Sequence, residues 1–266
     1  MSYILQNHTS QLLAGKHALV TGGARGIGAA VTRALSANGA RVTMLGRAAQ
    51  QDAGELAAEL DAKKLAYLSA DVSNSSIVAQ AFEDARSRFG AIDIVVNSAG
   101  QASSAPFLKT TASLWRTMMA VNLDGTFHCM QAALPGMLTA GWGRIVNVAS
   151  TAGLTGYGYV SAYCSAKHAV IGLTRSVAIE VATRGVTVNA VCPGYTDTDM
   201  VKDGIANIVA KTGRTQEQVL TEITARNPQK RLIKPEEVAH VVAWLCLPGT
   251  ESITGQAIVI SGGEIM

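Results

Sequence analysis

Short apolar runs alternate with longer amphipathic stretches along most of the chain. Several of the short runs are nearly continuously apolar and rich in β-branched residues, which is typical of strands in a parallel sheet covered by helices on both faces. The runs that predict strands are 17–21, 41–45, 65–70, 92–97, 144–149, 186–192 and 257–260.

The longer stretches have apolar residues at the 3.6-residue spacing of amphipathic helices. They cover 27–38, 51–60, 75–89, 112–138, 162–183 and 236–247. Gly39, Gly90 and Gly185 follow three of them, and glycine is common just beyond the end of a helix. Strands that alternate with helices predict right-handed crossover connections. We therefore expect one doubly wound α/β domain of the Rossmann type over residues 1–266, with about seven parallel strands flanked by helices.

One segment, residues 195–228, departs from this alternation. It is polar, contains glycine and is rich in threonine. Long insertions of this kind near the end of an α/β domain often cover a site. We predict that the segment is a substrate lid within the single domain.

Composition excludes several classes of protein. Hydrophobic residues make up 48% of the 266 residues and charged residues 15%, which excludes a disordered or fibrous chain. The net charge of +3 comes from scattered basic residues, so we expect no nucleic-acid or anionic-membrane partner. We also expect no signal peptide and no transmembrane helix, because the apolar runs are too short.

The cysteines and histidines suggest no metal. Cys129, Cys164, Cys192 and Cys246 have spacings unlike those of zinc or disulfide motifs, and the chain contains no HExxH pair. Buried, reduced thiols in a cytoplasmic protein are the favoured interpretation, and Cys164 is interpreted as a packing residue rather than a reactive thiol.

A glycine-rich loop follows the first predicted strand. Thr21 leads into Gly22, Gly26, Ile27 and Gly28, immediately before a predicted helix. Glycines allow a tight turn and let backbone N–H groups approach a pyrophosphate, whose charge the helix N-terminus favours. A purely structural turn from strand to helix is the alternative.

Two arginines bear on which dinucleotide would bind. A carboxylate near the end of the second strand would bind the free ribose 2′-hydroxyl of NAD(H). Arg47 stands there instead, and Arg25 lies within the glycine loop. A guanidinium can bind a 2′-phosphate bidentately, so NADP(H) is favoured and NAD(H) remains possible. The alternative is that both arginines are solvated surface cations.

Tyr163 and Lys167 lie four residues apart in a predicted helix and therefore on the same face. A phenol has a pKa near 10 and is a poor acid–base group at neutral pH. A neighbouring ammonium, together with an oxidised nicotinamide, would lower that pKa. Alone, such a pair is common on helix surfaces.

Its context makes the pair informative. The chain resembles the short-chain dehydrogenase/reductase family over residues 14–263, with Ser150 placed 13 residues before Tyr163. The motifs that carry the resemblance, in chain order, are the loop 21–28, Asn97 to Gly100, Asn122, Ser150, the Tyr163/Lys167 pair, and Pro193-Gly194 with Thr198.

The resemblance implies catalytic roles. Tyr163 would be the general acid in ketone reduction and the base in alcohol oxidation, and Lys167 would lower its pKa and hold the nicotinamide ribose. Ser150 would hydrogen-bond the substrate oxygen, where charge develops. Asn122 would hold a water that extends a proton relay. Alternatively, Asn122 satisfies buried backbone groups and Ser150 caps the end of a strand.

The resemblance also implies cofactor contacts. The residues concerned are Gly22, Arg25, Gly26, Ile27 and Gly28 at the phosphates, Arg47 at the ribose, Asp71 and Val72 at the adenine, Asn97, Ala99 and Gly100 along the cofactor, Tyr163 and Lys167 at the nicotinamide ribose, and Pro193, Gly194, Thr196 and Thr198 at the carboxamide end. Relatives assemble through helices equivalent to 112–138 and 162–183, so a homotetramer is expected.

The substrate is less well defined. The loop 152–160 contains no charged residue, which favours a substrate with an apolar or aromatic portion. The chain resembles 3-oxoacyl thioester reductases and 3-hydroxyacyl or 3-hydroxybutyrate dehydrogenases. Residues 135–143 and 177–180 contain no Lys or Arg to attract an acidic acyl carrier protein, so we favour a CoA ester or a free small ketone over a carrier-bound substrate. Of these, reduction of a 3-oxoacyl-CoA is the main prediction. The alternative is an NAD-dependent 3-hydroxyacyl-CoA or small secondary-alcohol dehydrogenase that works in the catabolic direction.

Three other classes fit less well. A non-enzymatic nucleotide sensor would tend to lose Ser150, Tyr163 or Lys167, and this chain has all three. A methyltransferase would have no use for the Tyr/Lys pair. An epimerase of the extended type would need a longer C-terminal substrate domain.

Overall fold

The computed structural model describes residues 11–47 and 50–266 and places one seven-stranded parallel sheet at the centre. The strand order is β3-β2-β1-β4-β5-β6-β7. The strands are β1 His17–Thr21, β2 Arg41–Gly46, β3 Leu65–Ser69, β4 Ile94–Asn97, β5 Gly143–Val148, β6 Val186–Pro193 and β7 Ala257–Ile260. The helices are α1 Gly26–Ala37, α2 Gln50–Glu59, α3 Ser75–Phe89, α4 Ala112–Met119, α5 Gly125–Ala140, α6 Ser161–Val181, α7 Asp199–Thr212, α8 Gln216–Thr224 and α9 Pro235–Cys246. The predicted doubly wound α/β fold is confirmed.

Helices cover both faces of the sheet, as the apolar strands predict. On one face, Val31 of α1 and Val242 of α9 pack with Val20 and Val96. On the other, Phe82 of α3 and Met130 of α5 belong to a second buried cluster. Because side chains alternate along a strand, each central strand contributes to both clusters and has to be apolar along its length.

The strand order reverses between β1 and β4, so their carboxyl ends border a crevice in which such sheets bind ligands. The Thr21 hydroxyl oxygen accepts hydrogen bonds from the backbone N–H groups of Ser98 (3.0 Å) and Ala99 (2.9 Å). These bonds tie the loops after β1 and β4 together at the edge where the predicted site residues gather.

The prediction of one continuous helix over 112–138 is wrong in one respect. A π-helical turn at Ala120–Asp124 separates α4 from α5. Asn122 lies in this turn, and its side chain is completely buried and bonded to backbone groups. A single wide turn re-aims one side chain without ending the helix, so hydrophobic periodicity cannot reveal it.

The segment 195–228 contains two helices that the sequence analysis did not predict. Helix α7 is followed by Gly213, whose φ of +69° is a left-handed conformation that glycine adopts readily. Helix α8 begins with a capping box between Thr215 and Gln218. Among the described residues, no helix is long and apolar enough to cross a membrane.

Candidate active site

The backbone of the glycine loop leaves little room for side chains at its glycine positions. Gly22 and Gly26 have φ values of +65° and +51°. A Cβ on Gly28 would lie 2.1 Å from the Gly22 carbonyl oxygen, so the start of α1 packs directly on the loop. No side chain caps the N-terminus of α1 at Arg25, and Ile27 packs against the core behind it. A narrow glycine cradle before uncapped helical N–H groups fits a pyrophosphate.

Arg47 and Asp71 lie together beyond the ends of β2 and β3. The Arg47 guanidinium is 3.5 Å from the Asp71 carboxylate, and 64% of the Arg47 side chain is exposed. Hydrogen bonds from Ser73 hold the pKa of Asp71 below its usual value. The next residue, Val72, is buried, and its carbonyl is 3.0 Å from His128 Nδ1. The predicted ribose and adenine residues are therefore neighbours.

Arg25 lies at an open groove between α1, α2 and the start of α7. The groove also contains Arg33 and Lys202, which pair with Glu59 and Asp197. Arg25 is exposed and, within the described residues, has no ion pair. Six carboxylate residues line the same groove, so Arg25 is an exposed cation on a largely acidic surface.

Ser150 begins the helical turn Thr151–Gly153 at the end of β5, and its hydroxyl oxygen accepts a hydrogen bond from the Ala152 N–H at 3.1 Å. It therefore caps that turn, as the alternative interpretation proposed. It also lies within reach of Tyr163, because a hydrogen bond between the two side chains lowers the pKa of the phenol. Ser150 can cap the turn and still face Tyr163.

Burial nevertheless has the larger effect on Tyr163 and raises its pKa to about 12. The lowering expected from Lys167 together with an oxidised nicotinamide stays a prediction, because it concerns the site with its cofactor. A phenol that remains protonated over the whole neutral range is suited to donate a proton.

Lys167 is buried beside Tyr163. Its Nζ donates a hydrogen bond to the Val148 carbonyl at 2.8 Å and lies 5.7 Å from the centroid of the Tyr163 ring. Burial lowers the pKa of Lys167 to about 8. The helix approaches closely because residue 153 is glycine: a Cβ on Gly153 would lie 2.7 Å from the Lys167 carbonyl oxygen.

Asn122 secures the backbone that follows β4. Its amide group donates to the carbonyls of Gln101 and Met118, each at 3.0 Å, and its oxygen accepts from the Gln101 N–H at 3.2 Å. A Cβ on Gly100 would lie 2.9 Å from the same oxygen and 3.8 Å from Lys167 Nζ. Asn122 thus satisfies buried backbone groups, as the alternative proposed, and its relay role stays a prediction.

Asn97 belongs to a polar chain inside the fold. Its side chain donates to Asn147 (2.8 Å), and Asn147 donates to Thr174 (2.9 Å) on α6. The carbonyl oxygen of the Asn97 side chain is buried and has no partner among the described residues. The sequence analysis missed Asn147 and Thr174, which join β4, β5 and α6.

The residues predicted at the carboxamide end are divided between two places. The Thr196 hydroxyl donates to the Gly194 carbonyl at 3.0 Å, just beyond Pro193 at the end of β6. Thr198 lies against the glycine loop instead, with its Cγ2 3.2 Å from where a Cβ on Gly26 would stand. The segment after β6 therefore runs from the end of that strand to the phosphate loop.

A polar cluster beside the site was only partly foreseen. The Tyr157 hydroxyl donates to Glu264 Oε1 at 2.5 Å and lies 2.9 Å from Thr151 Oγ1. The rings of Tyr157 and Tyr195 meet edge to face with centroids 6.4 Å apart, and the Arg226 guanidinium lies 5.2 Å from the Tyr157 ring centroid. Nothing in the local sequence pattern around Glu264 indicates this contact, because its partner is 107 residues away.

Comparisons with known proteins agree with this geometry. A family model described as enoyl-(acyl carrier protein) reductase matches residues 22–264. D-β-hydroxybutyrate dehydrogenase of Rhizobium meliloti is 37% identical over 93% of this chain and 98% of its own length. The 3-oxoacyl-[acyl-carrier-protein] reductase of Vibrio cholerae is 35% identical over 96% and 99%.

A solved structure is also similar to this chain in fold and sequence. An actinorhodin polyketide ketoreductase with NADPH has a TM-score of 0.89 and 34% identity, over 94% of this chain and 97% of that protein. The family match, the relatives and the shared fold together give one conclusion. The chain belongs to the short-chain dehydrogenase/reductase family and is an oxidoreductase.

Proposed function

We propose that the enzyme reduces the ketone of a 3-oxoacyl thioester, a CoA ester rather than a carrier-bound one, to the 3-hydroxyacyl thioester with NADPH. One observation carries the proposal. Ser150, Tyr163 and Lys167 meet at the carboxyl edge of the sheet that also presents the glycine loop. Acid–base groups and a cradle for a dinucleotide therefore share one crevice.

The chain's residues would act on the ketone oxygen. Bound NADPH supplies a hydride to the carbonyl carbon. Tyr163 donates its phenolic proton to the carbonyl oxygen as the C–O double bond becomes single, and Ser150 hydrogen-bonds that oxygen while charge develops. Lys167 keeps a positive charge beside the phenol. The products are the secondary alcohol and the oxidised cofactor, and solvent returns one proton to Tyr163.

The preference for NADPH rests on two exposed guanidinium groups. Arg47 lies beyond the end of β2 and Arg25 lies in the glycine loop, and either guanidinium could form charge-assisted hydrogen bonds to a ribose 2′-phosphate. The similar ketoreductase was solved with NADPH. The preference for CoA rests on residues 135–143, which contain no Lys or Arg and include the end of α5.

The test compares matched substrates. Purified protein is assayed with NADPH and acetoacetyl-CoA, then with the same acyl group on acyl carrier protein. We expect kcat/KM to favour the CoA ester. A strong preference for the carrier would overturn the CoA assignment, and absence of turnover with any 3-oxo ester or thioester would overturn the proposed reaction.

A second candidate is oxidation of 3-hydroxybutyrate or a 3-hydroxyacyl-CoA with NAD. Its support is the 37% identity with the D-β-hydroxybutyrate dehydrogenase of Rhizobium meliloti. Assays with NAD and 3-hydroxybutyrate separate the two candidates. Faster turnover there than in the NADPH reaction would make the dehydrogenase the main activity.

We also propose a homotetramer. Trp115 on α4 and Phe127 on α5 are 40% and 42% exposed, although both are large aromatic side chains. Light scattering should give a native mass near four times 27.6 kDa, and a monomer mass would refute the assembly. The four buried free cysteines fit a reducing compartment, so we place the enzyme in the cytoplasm. Separately, we expect residues 195–228 to act as a lid over the substrate.

A further inference from the structure

The Glu264 carboxylate lies between the loop that follows Ser150 and the segment that follows β6. One of its oxygens, Oε1, is 2.5 Å from the Tyr157 hydroxyl, in the loop that follows Ser150. The other, Oε2, would be 3.0 Å from a Cβ on Gly194, just beyond the end of β6. Glu264 thus touches two segments that border the reacting groups.

Tyr195 connects this carboxylate to the catalytic tyrosine. Its ring meets Tyr157 edge to face, and its phenol is close enough to Tyr163 to raise the pKa of that group slightly. Burial raises the pKa of Tyr195, and Glu264 raises it further. The negative charge of Glu264 therefore acts on Tyr195, the side chain that in turn affects Tyr163.

Arg226 does not cancel this charge. Its guanidinium lies 5.2 Å from the Tyr157 ring centroid, and the residue is exposed to water. Glu264 is partly buried and changes the pKa of Tyr195 more than Arg226 does. Glu222, which pairs with Arg214, raises the same pKa by a smaller amount. Water screens an exposed cation more than a partly buried anion. Around Tyr195, the effect of the Glu264 carboxylate therefore outweighs that of the Arg226 guanidinium.

We propose that Glu264 is a specificity determinant that repels substrates carrying a carboxylate beside the reacting ketone. It would favour neutral 3-oxo esters and thioesters over free 3-oxo acids, and it would accept a hydrogen bond from a donor on a neutral substrate. This inference rests on the proposed ketone reduction. It also argues against 3-hydroxybutyrate as the main substrate.

Acetoacetate and ethyl acetoacetate provide the test, because they share the reacting ketone and differ in charge. Each is titrated into the protein with NADP⁺, which cannot reduce it, and its dissociation constant is measured calorimetrically. Glu264→Gln removes the charge and keeps an oxygen for the Tyr157 hydroxyl. We expect this variant to improve acetoacetate binding relative to the ester by about tenfold, the effect of one partly screened charge a few ångströms away.

Two further variants separate charge from position. Glu222→Gln removes an exposed carboxylate with a smaller effect on Tyr195, and it should change the ratio of the two constants much less than Glu264→Gln does. Tyr157→Phe removes the hydroxyl that holds Glu264 but no charge, and it should leave the ratio of the constants as in the wild type. An unchanged ratio in Glu264→Gln, or an equal change in Tyr157→Phe, would overturn the proposal.

The same experiment separates this inference from the proposed function. Because the titration needs no turnover, it tests Glu264 even if the wild type reduces neither ketone with NADPH. A weaker affinity of Glu264→Gln for NADP⁺ itself, with no change in the ratio, would place Glu264 at the cofactor and overturn its role in substrate choice.

Discussion

The Arg47 guanidinium lies 3.5 Å from the Asp71 carboxylate, which joins the ends of β2 and β3 at the edge where the adenosine would bind. The Arg47 side chain is largely exposed, so the pair adds little to the free energy of unfolding. Because this ion pair is weak, the Arg47 guanidinium could turn toward a 2′-phosphate. We therefore predict that cofactor choice is the property most sensitive to Arg47.

Arg47→Asp should weaken NADPH binding at least about tenfold, since a charge-assisted hydrogen bond to phosphate is replaced by repulsion. The affinity for NADH should change little. Fluorescence titration of both cofactors measures the two constants. Arg184→Asp, at an exposed arginine after α6, is the control and should preserve the wild-type preference. Equal losses for both cofactors would contradict the proposed role of Arg47.

Tyr163→Phe should lower kcat for ketone reduction by about 10²–10⁴-fold, because the proton donor is lost while the ring remains. NADPH affinity and the unfolding midpoint should stay close to the wild type. Tyr159→Phe makes the same chemical change at a side chain that is 70% exposed. It should retain far more activity than Tyr163→Phe, and comparable losses in both variants would exclude the assigned role of Tyr163.

Lys167 couples activity and stability to pH in opposite directions. Burial lowers its pKa to about 8, so its positive charge is lost as the pH rises through that value, and ketone reduction should decline with it. In the unfolded chain Lys has a pKa near 10.4, so the unfolded state binds more protons between about pH 8 and 10.4. Stability therefore rises with pH over that window, by about 3 kcal/mol for this group.

The check is urea denaturation of the wild type and Lys167→Met across that pH range. The difference in free energy of unfolding between them should move in favour of the wild type as the pH rises. A pH-independent difference would show that Lys167 is not the titrating group.

Asn122→Ala should lower the free energy of unfolding by about 2–4 kcal/mol, because buried backbone groups of Gln101 and Met118 lose their partners. Denaturant titration measures the loss. Asn207→Ala, at an exposed position of α7, should be nearly neutral. The kcat of Asn122→Ala should also fall, because Gly100 packs directly on the Asn122 side chain. A variant as stable as the wild type would contradict the hydrogen-bonding account.

Strand positions were predictable because buried parallel strands need continuous apolar runs, and β1, 17–21, matches its prediction. Strand β4 begins at Ile94 rather than 92, since the Asp93 side chain accepts a hydrogen bond from the His17 N–H at 2.9 Å. The π-helical turn at Asn122 and the helices α7 and α8 were not predicted. The turn leaves the apolar spacing almost intact, and α7 and α8 are polar helices with few buried residues.

The candidate site divides along similar lines. Ser150, Tyr163 and Lys167 were found because their spacing along the chain is itself a motif. The Tyr163 pKa could not be foreseen, because it depends on burial, which a linear spacing does not report. Glu264 was missed for a related reason: its contact with Tyr157 exists only once the C-terminal segment lies across the folded domain.

The position of Glu264 also affects how the protein should be prepared. Met266 is only two residues further along the chain, so an affinity tag fused after Met266 would begin close to the contact between Glu264 and Tyr157. A polyhistidine tail would bring several titratable groups close to the Tyr157–Glu264 hydrogen bond. Substrate profiles should therefore be recorded on protein tagged at the other end, or with any C-terminal fusion removed before assay.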